Sequence, residues 1–410
     1  MSNAAPDRLG AYALFAALLA SVGLPLYIHA PKFYVDEYGV SLAALGSVLF
    51  GLRLLDVVQD PLLGKLAARL RSYRGTSVAL GAGVLALGMF GLFAVTPPVA
   101  PLVWFALTLT LVFSGFSFLT ITFYAQGVAK ADRLPGQGHL RLARWRETGA
   151  LLGVCVAAIA PVALMQATQS PFAGFALGFC IVAAAAVWAM RGEWMAAPVA
   201  APESLREVLG DTVARRLLMV ALVNAAPVAV TSTLFLFFVE SRLAAPGMEG
   251  PLLLIFFLSA ALAAPLWGRL AETRGARPVL VFAMVLSILA FAGVLALGPG
   301  DTLAFAVICV ISGAALGADL TILPALFASR MAQIAPGAAQ GFGLWSFVSK
   351  FTLAFAAVTL LPLLEASGFR AGADNDASAL ATLTLLYAGV PCLLKLMAIA
   401  LLAATPLKGS

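Results

Sequence analysis

Charge is what this sequence has least of. Only 11% of its 410 residues are Asp, Glu, Lys or Arg, against about a quarter in a soluble domain, so the chain lacks the polar surface that would coat a globule in water. Histidine is almost missing, at two residues (His29 and His139), and the four cysteines, Cys155, Cys180, Cys309 and Cys392, stand inside apolar runs without CxxC or Cys/His spacing. These shortages argue against a disulfide-stapled scaffold, a structural metal site and a nucleophile–base constellation. No catalytic residue and no cofactor is expected, and the cysteines read as small buried hydrophobes. Disorder is excluded by the opposite excess, a hydrophobic content of 62%. Met1 to Gly10 carries Asp7 and Arg8 but no cleavage pattern, and reads as the tail before a first helix.

What is present is a succession of long apolar runs. A membrane-spanning helix with a short loop takes about 30 residues, so this length predicts about twelve. Gly, Pro and charge punctuation places them at 11–31, 42–66, 77–96, 102–128, 147–166, 172–191, 215–239, 251–270, 278–298, 302–328, 342–364 and 380–404. The expected fold is an all-α integral membrane protein of two pseudo-symmetric six-helix halves, 1–191 and 215–410, joined by a cytoplasmic linker over 192–214. With both termini cytoplasmic, 19 of the 25 Lys and Arg residues fall in inner loops and tails. Only Lys32, Arg242 and Arg370 fall outside, and Arg53, Lys350 and Lys395 remain within spans. The net charge of +6 is therefore positive-inside topology in a plasma membrane of bacterial inner-membrane type, not a nucleic-acid footprint. The expected partners are membrane lipid and a small solute, and the expected state is a monomer.

One internal repeat is visible. Asp60-Pro61-Leu62-Leu63-Gly64-Lys65-Leu66 closes the second helix, and Ala264-Pro265-Leu266-Trp267-Gly268-Arg269-Leu270 closes the eighth, half a chain later. Two related halves around a central linker describe a duplicated transporter. Glu272-Thr273-Arg274-Gly275-Ala276-Arg277 follows the second copy, a turn whose charges bridge neighbouring helix ends; the first copy has Ala68 where an acid is expected. Gly64, Gly268, Arg269 and Glu272 are assigned to structure or gating.

Ionisable groups in lipid cost several kcal/mol unless paired or wet, so each is a functional candidate. At about 100° per residue, Arg53, Asp56 and Asp60 share one helical face within about 60°. Two carboxylates one turn apart offer oxygen ligands to a monovalent cation, or a proton relay, with Arg53 neutralising the empty site or locking helix packing. Lys350 in the eleventh helix is expected to point at those carboxylates. Lys395, near the end of the twelfth, is expected to snorkel to the interface. Asp319 in the tenth either lines a cavity or bonds across helices. Thr120, Thr122 and Gln126 mark the fourth helix, where threonines usually bond their own backbone. Arg146 and Glu147 open the fifth, either as interface anchors or facing solute. Tyr27, His29 and Lys32 stand at the outer end of a first helix broken by Pro25 and Pro31, a candidate substrate path.

Arg53-x-x-Asp56-x-x-x-Asp60-Pro61-x-x-Gly64, Gly317-Ala318-Asp319-Leu320 and Gly341-Phe342-Gly343-Leu344-Trp345-Ser346-Phe347-Val348-Ser349-Lys350 together resemble the glycoside–pentoside–hexuronide:cation symporter family, the melibiose-permease-like branch of the major facilitator superfamily. The Gly/Arg loop at 268–277 is likewise a mark of that superfamily. The resemblance covers nearly the whole chain. It implies that Asp56 and Asp60 are cation-site acids, that Lys350 lies near that site together with Thr122, and that Arg146 faces the solute. Tyr27, His29, Trp345 and Asp319 are the further expected solute contacts. Two departures matter: the family's sugar-binding acid of helix one falls at Ala20, and a helix-four acid falls at Thr122.

The expectation is a secondary active transporter working by alternating access, coupled to Na⁺ or H⁺ at Asp56 and Asp60. Its solute is an anionic or amphipathic organic molecule in place of a neutral glycoside. Two rivals keep the scaffold: a proton-driven exporter of drugs or siderophores, and a transport-inactive lipid-handling or assembly protein.

Overall fold

The structure is a computed structural model that describes residues 8–23, 25–165, 168–194, 205–334, 339–370 and 375–406. Every regular element among them is helical. The first membrane passage is made of α1 (Leu9–Ala20), a π-helical turn over Pro25–His29 and α2 (Ala30–Tyr38). The next five are α3 (Leu42–Arg69), α4 (Arg74–Ala94), α5 (Pro101–Ala131), α6 (Gly138–Met165) and α7 (Pro171–Met190). A short α8 (Leu205–Gly210) precedes α9 (Thr212–Phe237), α10 (Glu249–Arg274), α11 (Ala276–Val294), α12 (Thr302–Ile334) and α13 (Ala339–Ala366). The twelfth passage is α14 (Ala377–Thr384), a π-helical turn over Leu385–Gly389 and α15 (Val390–Ala403). Among the described residues eight stretches are long and apolar enough to cross a membrane by length and composition. The protein is an integral membrane protein.

Local chemistry sets the helix ends. The Ser41 hydroxyl accepts from the Ala44 N–H (3.2 Å) to start α3, and Asp211 Oδ1 accepts from the Ala214 N–H (2.7 Å) to start α9. Pro101 and Pro171 occupy the first positions of α5 and α7, where a missing N–H costs nothing. Gly39 closes α2 in the left-handed region, at φ 65°. Several helices outrun the apolar stretches that predict them. α6 begins at Gly138 instead of 147, and α12 continues to Ile334 instead of 328. Backbone hydrogen bonding does not stop at the hydrocarbon edge, and basic side chains on the extra turns reach the interface. Arg146 and Glu147 consequently sit two turns inside α6 and do not open it.

The repeat is reproduced residue by residue. Pro61 and Pro265 lie inside α3 and α10, Leu62 and Leu266 are exposed at 58% and 64%, and Gly64 and Gly268 are buried. Asp60 and its counterpart Ala264 are both fully buried. The duplication thus kept the packing and placed the carboxylate in one copy only.

The chain forms two compact units: Met1–Val208 with Met331–Phe347, and Leu209–Arg330 with Val348–Ser410. The first therefore includes the opening turns of α13. Residues 195–204 of the expected linker, and Lys408, lie outside the described residues. In the first unit α1 packs on α6 through Gly149-x-x-x-Gly153, where an added Cβ would stand 2.1 Å from the Ala13 carbonyl oxygen and 2.3 Å from that of Ala17. In the second, an added Cβ at Gly313 of α12 would stand 2.2 Å from the Phe256 carbonyl oxygen of α10, and one at Gly317 2.7 Å from that of Ala260. Lipid gives helices no hydrophobic reason to associate, so backbone approach across small residues supplies the dispersion contact.

Candidate functional site

In the first unit α3 presents Leu54, Leu55, Val58 and Leu62 outward and buries Asp56 and Asp60 completely. Both carboxylates are held by hydrogen bonds. Gln59 Nε2 donates to Asp56 Oδ1 (2.7 Å) while its own Oε1 accepts from the Ser114 hydroxyl of α5 (3.0 Å). The Ser346 hydroxyl of α13 donates to Asp60 Oδ2 (2.6 Å). Gly343 makes that contact possible, since a Cβ there would meet the Asp60 carbonyl oxygen at 3.3 Å and Gly64 Cα at 3.4 Å. Gly64 therefore serves close helix packing beside the acids.

Thr122 on α5 is 2% exposed, and its hydroxyl has no hydrogen-bond partner, nor has the buried hydroxyl of Thr120. This corrects the expectation that they bond their own backbone, as Thr108 and Thr110 of the same helix do. Arg146 is 5% exposed. Its Nε donates to Glu147 Oε1 (2.7 Å), its guanidinium lies 3.8 Å from the centre of the Tyr124 ring, and its buried Nη2 has no partner. Tyr124 also donates to Glu147 (3.2 Å) and packs on Phe342. Arg146 is thus a buried, stacked cation with a spare donor and not an interface anchor.

Where α4 begins and α5 ends, Arg74 donates to the Gln126 side-chain oxygen, Gln126 Nε2 donates to the Glu193 backbone carbonyl, and Lys130 pairs with the Glu193 carboxylate (2.8 Å). This network ties three segments of the unit together. His29 is half-buried beside the Phe172 ring, and Trp345 is half-buried on α13. The side chains of Tyr27 and Arg53 lie outside the described residues.

The second unit contains a cluster that the sequence only partly announces. Lys395 of α15 is 3% exposed and does not snorkel. Its Nζ donates to Asp319 Oδ2 of α12 and to Asn224 Oδ1 of α9 (2.7 Å). The reason is pairing: a carboxylate and an amide from two other helices replace the interface water that the ammonium would otherwise seek. Lys350 is half-buried and belongs to this second unit. Arg269 is exposed and Glu272 half-buried on the last turns of α10, which end at Gly275 with φ 91°. The four cysteines are free thiols. Among the described residues no group of three or more His, Cys, Asp or Glu side chains gathers to hold a metal ion.

Sequence reasoning missed Gln59, Ser114, Ser346, Tyr124 and Asn224. Ser346 lay inside a quoted motif, and Asn224 was legible as a lone amide in an apolar run. Gln59, three residues from Asp56 on the same helix, was legible from helical spacing, whereas Ser114 and Tyr124 become visible only when the helices pack.

A family model described as MFS/sugar transport protein matches residues 10–409. The chain belongs to this family. This major facilitator has the fold that its composition implied and is a membrane transporter. Its structure is similar to that of a bacterial homologue of the iron transporter ferroportin in an outward-facing state, with a TM-score of 0.69 and 14% identity over 97% of both chains. A second structure of that homologue, with soaked iron, gives 0.67 and 14% identity over 98% of this chain and 99% of the other. At that identity the likeness speaks for the fold alone. No curated protein matches the sequence significantly.

Proposed function

We propose that this transporter is a cation-coupled symporter of the melibiose-permease-like kind, carrying an anionic or amphipathic organic solute across a bacterial inner membrane with both termini cytoplasmic. The observation that carries the reading is the pair Asp56 and Asp60, fully buried one turn apart on α3. Two adjacent carboxylates in a low-dielectric interior repel each other, and a bound Na⁺ or a proton relieves that repulsion. Gln59 and Ser346 fix one oxygen of each, which sets the carboxylates in place before the ion arrives. Thr122 is a buried hydroxyl able to join them, and Lys350 is the expected cation in the same cycle. On the solute side Arg146 is pre-oriented by Glu147 and Tyr124 and retains an unused donor. A guanidinium of that kind suits a carboxylate, sulfonate or phosphate group. His29, Tyr27 and Trp345 complete the proposed solute path. Coupling follows if ion and solute favour the same occluded state, a reciprocal free-energy link.

The test is thermal stability of the detergent-purified protein in Na⁺, with Li⁺ and K⁺ at equal ionic strength, repeated on Asp56→Asn and Asp60→Asn. A bound ion at a hundred times its Kd adds about 2.7 kcal/mol by mass action. The expected result is a saturable Na⁺-specific rise lost in both variants, or a pH-dependent shift lost in the same way if the ion is a proton. Indifference to every ion and to pH would overturn the reading.

A further inference from the structure

At the end of the first unit where α1 begins and α7 closes there is a groove that neither the coupling reading nor the solute path uses. Its volume is about 360 Å³, within the range of about 300–1,000 Å³ common to ligand sites. Arg8, Gly10 and Ala11 line one side, and Trp188, Ala189 and Arg191 the other. α1 and α7 pack on each other inside one unit, so the groove is built by a single helix pair.

Two exposed cations converge there. The Arg191 guanidinium lies 4.5 Å from the centre of the Trp188 ring. Arg8 reaches across from the start of α1 to the neighbouring residue, since a Cβ at Gly192 would meet its Nη1 at 3.2 Å. Among the described residues no acid lines the groove, and the first turn of α1 holds none. Glu193 is close in sequence but spent elsewhere, its carboxylate on Lys130 and its backbone carbonyl on Gln126. Like charges brought together repel until an anion joins them, and the positive end of the α1 dipole adds to the same field.

From this we infer that the groove binds the phosphodiester headgroup of an anionic membrane lipid, with Arg8 and Arg191 on the phosphate and an acyl chain along α7. Guanidinium groups match phosphate oxygens in pairs. The surface next to the arginines selects a lipid over a soluble anion. Leu177, Ile181 and Trp188 are each more than half exposed, and at about 100° per residue they fall within about 40° of one another on α7. Trp188 stands about 16 Å along the helix from Leu177, close to half of a hydrocarbon core of about 30 Å. The apolar stripe therefore runs the depth of one leaflet and ends at the arginines, with the indole at headgroup level, where its amphipathic ring is favoured. A free phosphate would leave that stripe unused, and a zwitterionic lipid would bring an ammonium up to two guanidiniums. None of these residues takes part in the proposed coupling at Asp56 and Asp60, so the site stands or falls without it.

The experiment titrates the full chain in neutral detergent micelles with phosphatidylglycerol carrying brominated acyl chains, which quench an indole on contact. Phosphatidylcholine with the same chains is the zwitterionic control, and Trp188→Phe identifies the signal of that one ring. The expected result is saturable Trp188 quenching, with phosphatidylglycerol effective at a mole fraction about thirtyfold below phosphatidylcholine, as two basic residues near a lipid surface imply. Arg8→Gln/Arg191→Gln should erase that preference. Arg215→Gln/Arg274→Gln, which removes the same charge from two exposed positions of the second unit, should keep it. Unbrominated phosphatidylglycerol should reverse the quenching, whereas glycerol phosphate should not. Equal quenching by the two lipids, an equal loss in both double variants, or displacement by glycerol phosphate as effective as by intact lipid overturns the inference.

Discussion

Replacing Lys395 by Met tests whether the buried triad holds the second unit together. Lys395, Asp319 and Asn224 are 3%, 7% and 6% exposed, and they come from three helices, α15, α12 and α9. Methionine nearly preserves the volume of the lysine stem, so packing changes little and the loss is electrostatic. Asp319 would keep its charge with no cation beside it, and Asn224 Oδ1 would lose its donor. Removing one member of a buried pair costs about 3–5 kcal/mol, and an orphaned amide oxygen adds about 1 kcal/mol or more. The sum is comparable to the 5–15 kcal/mol by which a folded domain is usually stable. Unfolding in mixed micelles with increasing SDS, followed by tryptophan fluorescence, measures the difference. The double variant Lys395→Met/Asp319→Leu removes both charges and should recover most of the loss, because a well-packed apolar pair is often as stable as the ion pair it replaces. A single variant within about 1 kcal/mol of the parent, or a double variant no better than the single, would refute the reasoning.

Gly149→Ala should cost about 3 kcal/mol, because its Cβ would meet the backbone oxygen of Ala13 at 2.1 Å and only a shift of α1 relieves that. Gly178→Ala, with nothing within 4 Å, is the neutral control in the same SDS titration. Outside the membrane, hydrogen bonds from Arg330 hold the Asp211 carboxyl below its ordinary 3.8, with the Ala214 N–H contributing and partial burial opposing. That pair therefore stabilises the protein above about pH 3.8 and loses its contribution as the pH falls through the lowered value. Asp211→Asn should be less stable by about 1 kcal/mol at pH 6, since both partners are partly exposed, and the gap should narrow as the pH falls below 3.8; a gap that stays constant throughout the acid titration would contradict it. Asp60→Asn should abolish uphill solute accumulation in ion-loaded proteoliposomes while counterflow exchange survives; uphill uptake at the parent rate would remove Asp60 from coupling.

The two polar clusters were not equally legible. Asp56 and Asp60 could be found because a four-residue spacing fixes one helical face, and a charge in an apolar run stands out by itself. Ser346, whose hydroxyl reaches Asp60 from 286 residues away, has no local signature, since a serine in a membrane helix usually bonds its own turn. Lys395 was misjudged for a related reason. Its distance from a helix end is a property of one segment, whereas the partners that keep it buried come from two others.

Composition, apolar run length and the distribution of Lys and Arg determined that this chain lives in lipid as a bundle of helices, because each of those signals is summed within single segments. The half-chain repeat determined the duplication for the same reason: Pro61 and Pro265 carry it in their own sequence. Tertiary structure alone decided which polar groups meet. It placed Ser346 on Asp60 and Ser114 on Gln59, turned Arg146 onto Tyr124, and joined Lys395 to Asp319 and Asn224. Inside a membrane a polar side chain has no water to fall back on, so its partner is chosen by which helices come close. That closeness is set by small residues such as Gly149, Gly313 and Gly343, whose missing side chains say that something approaches without saying what.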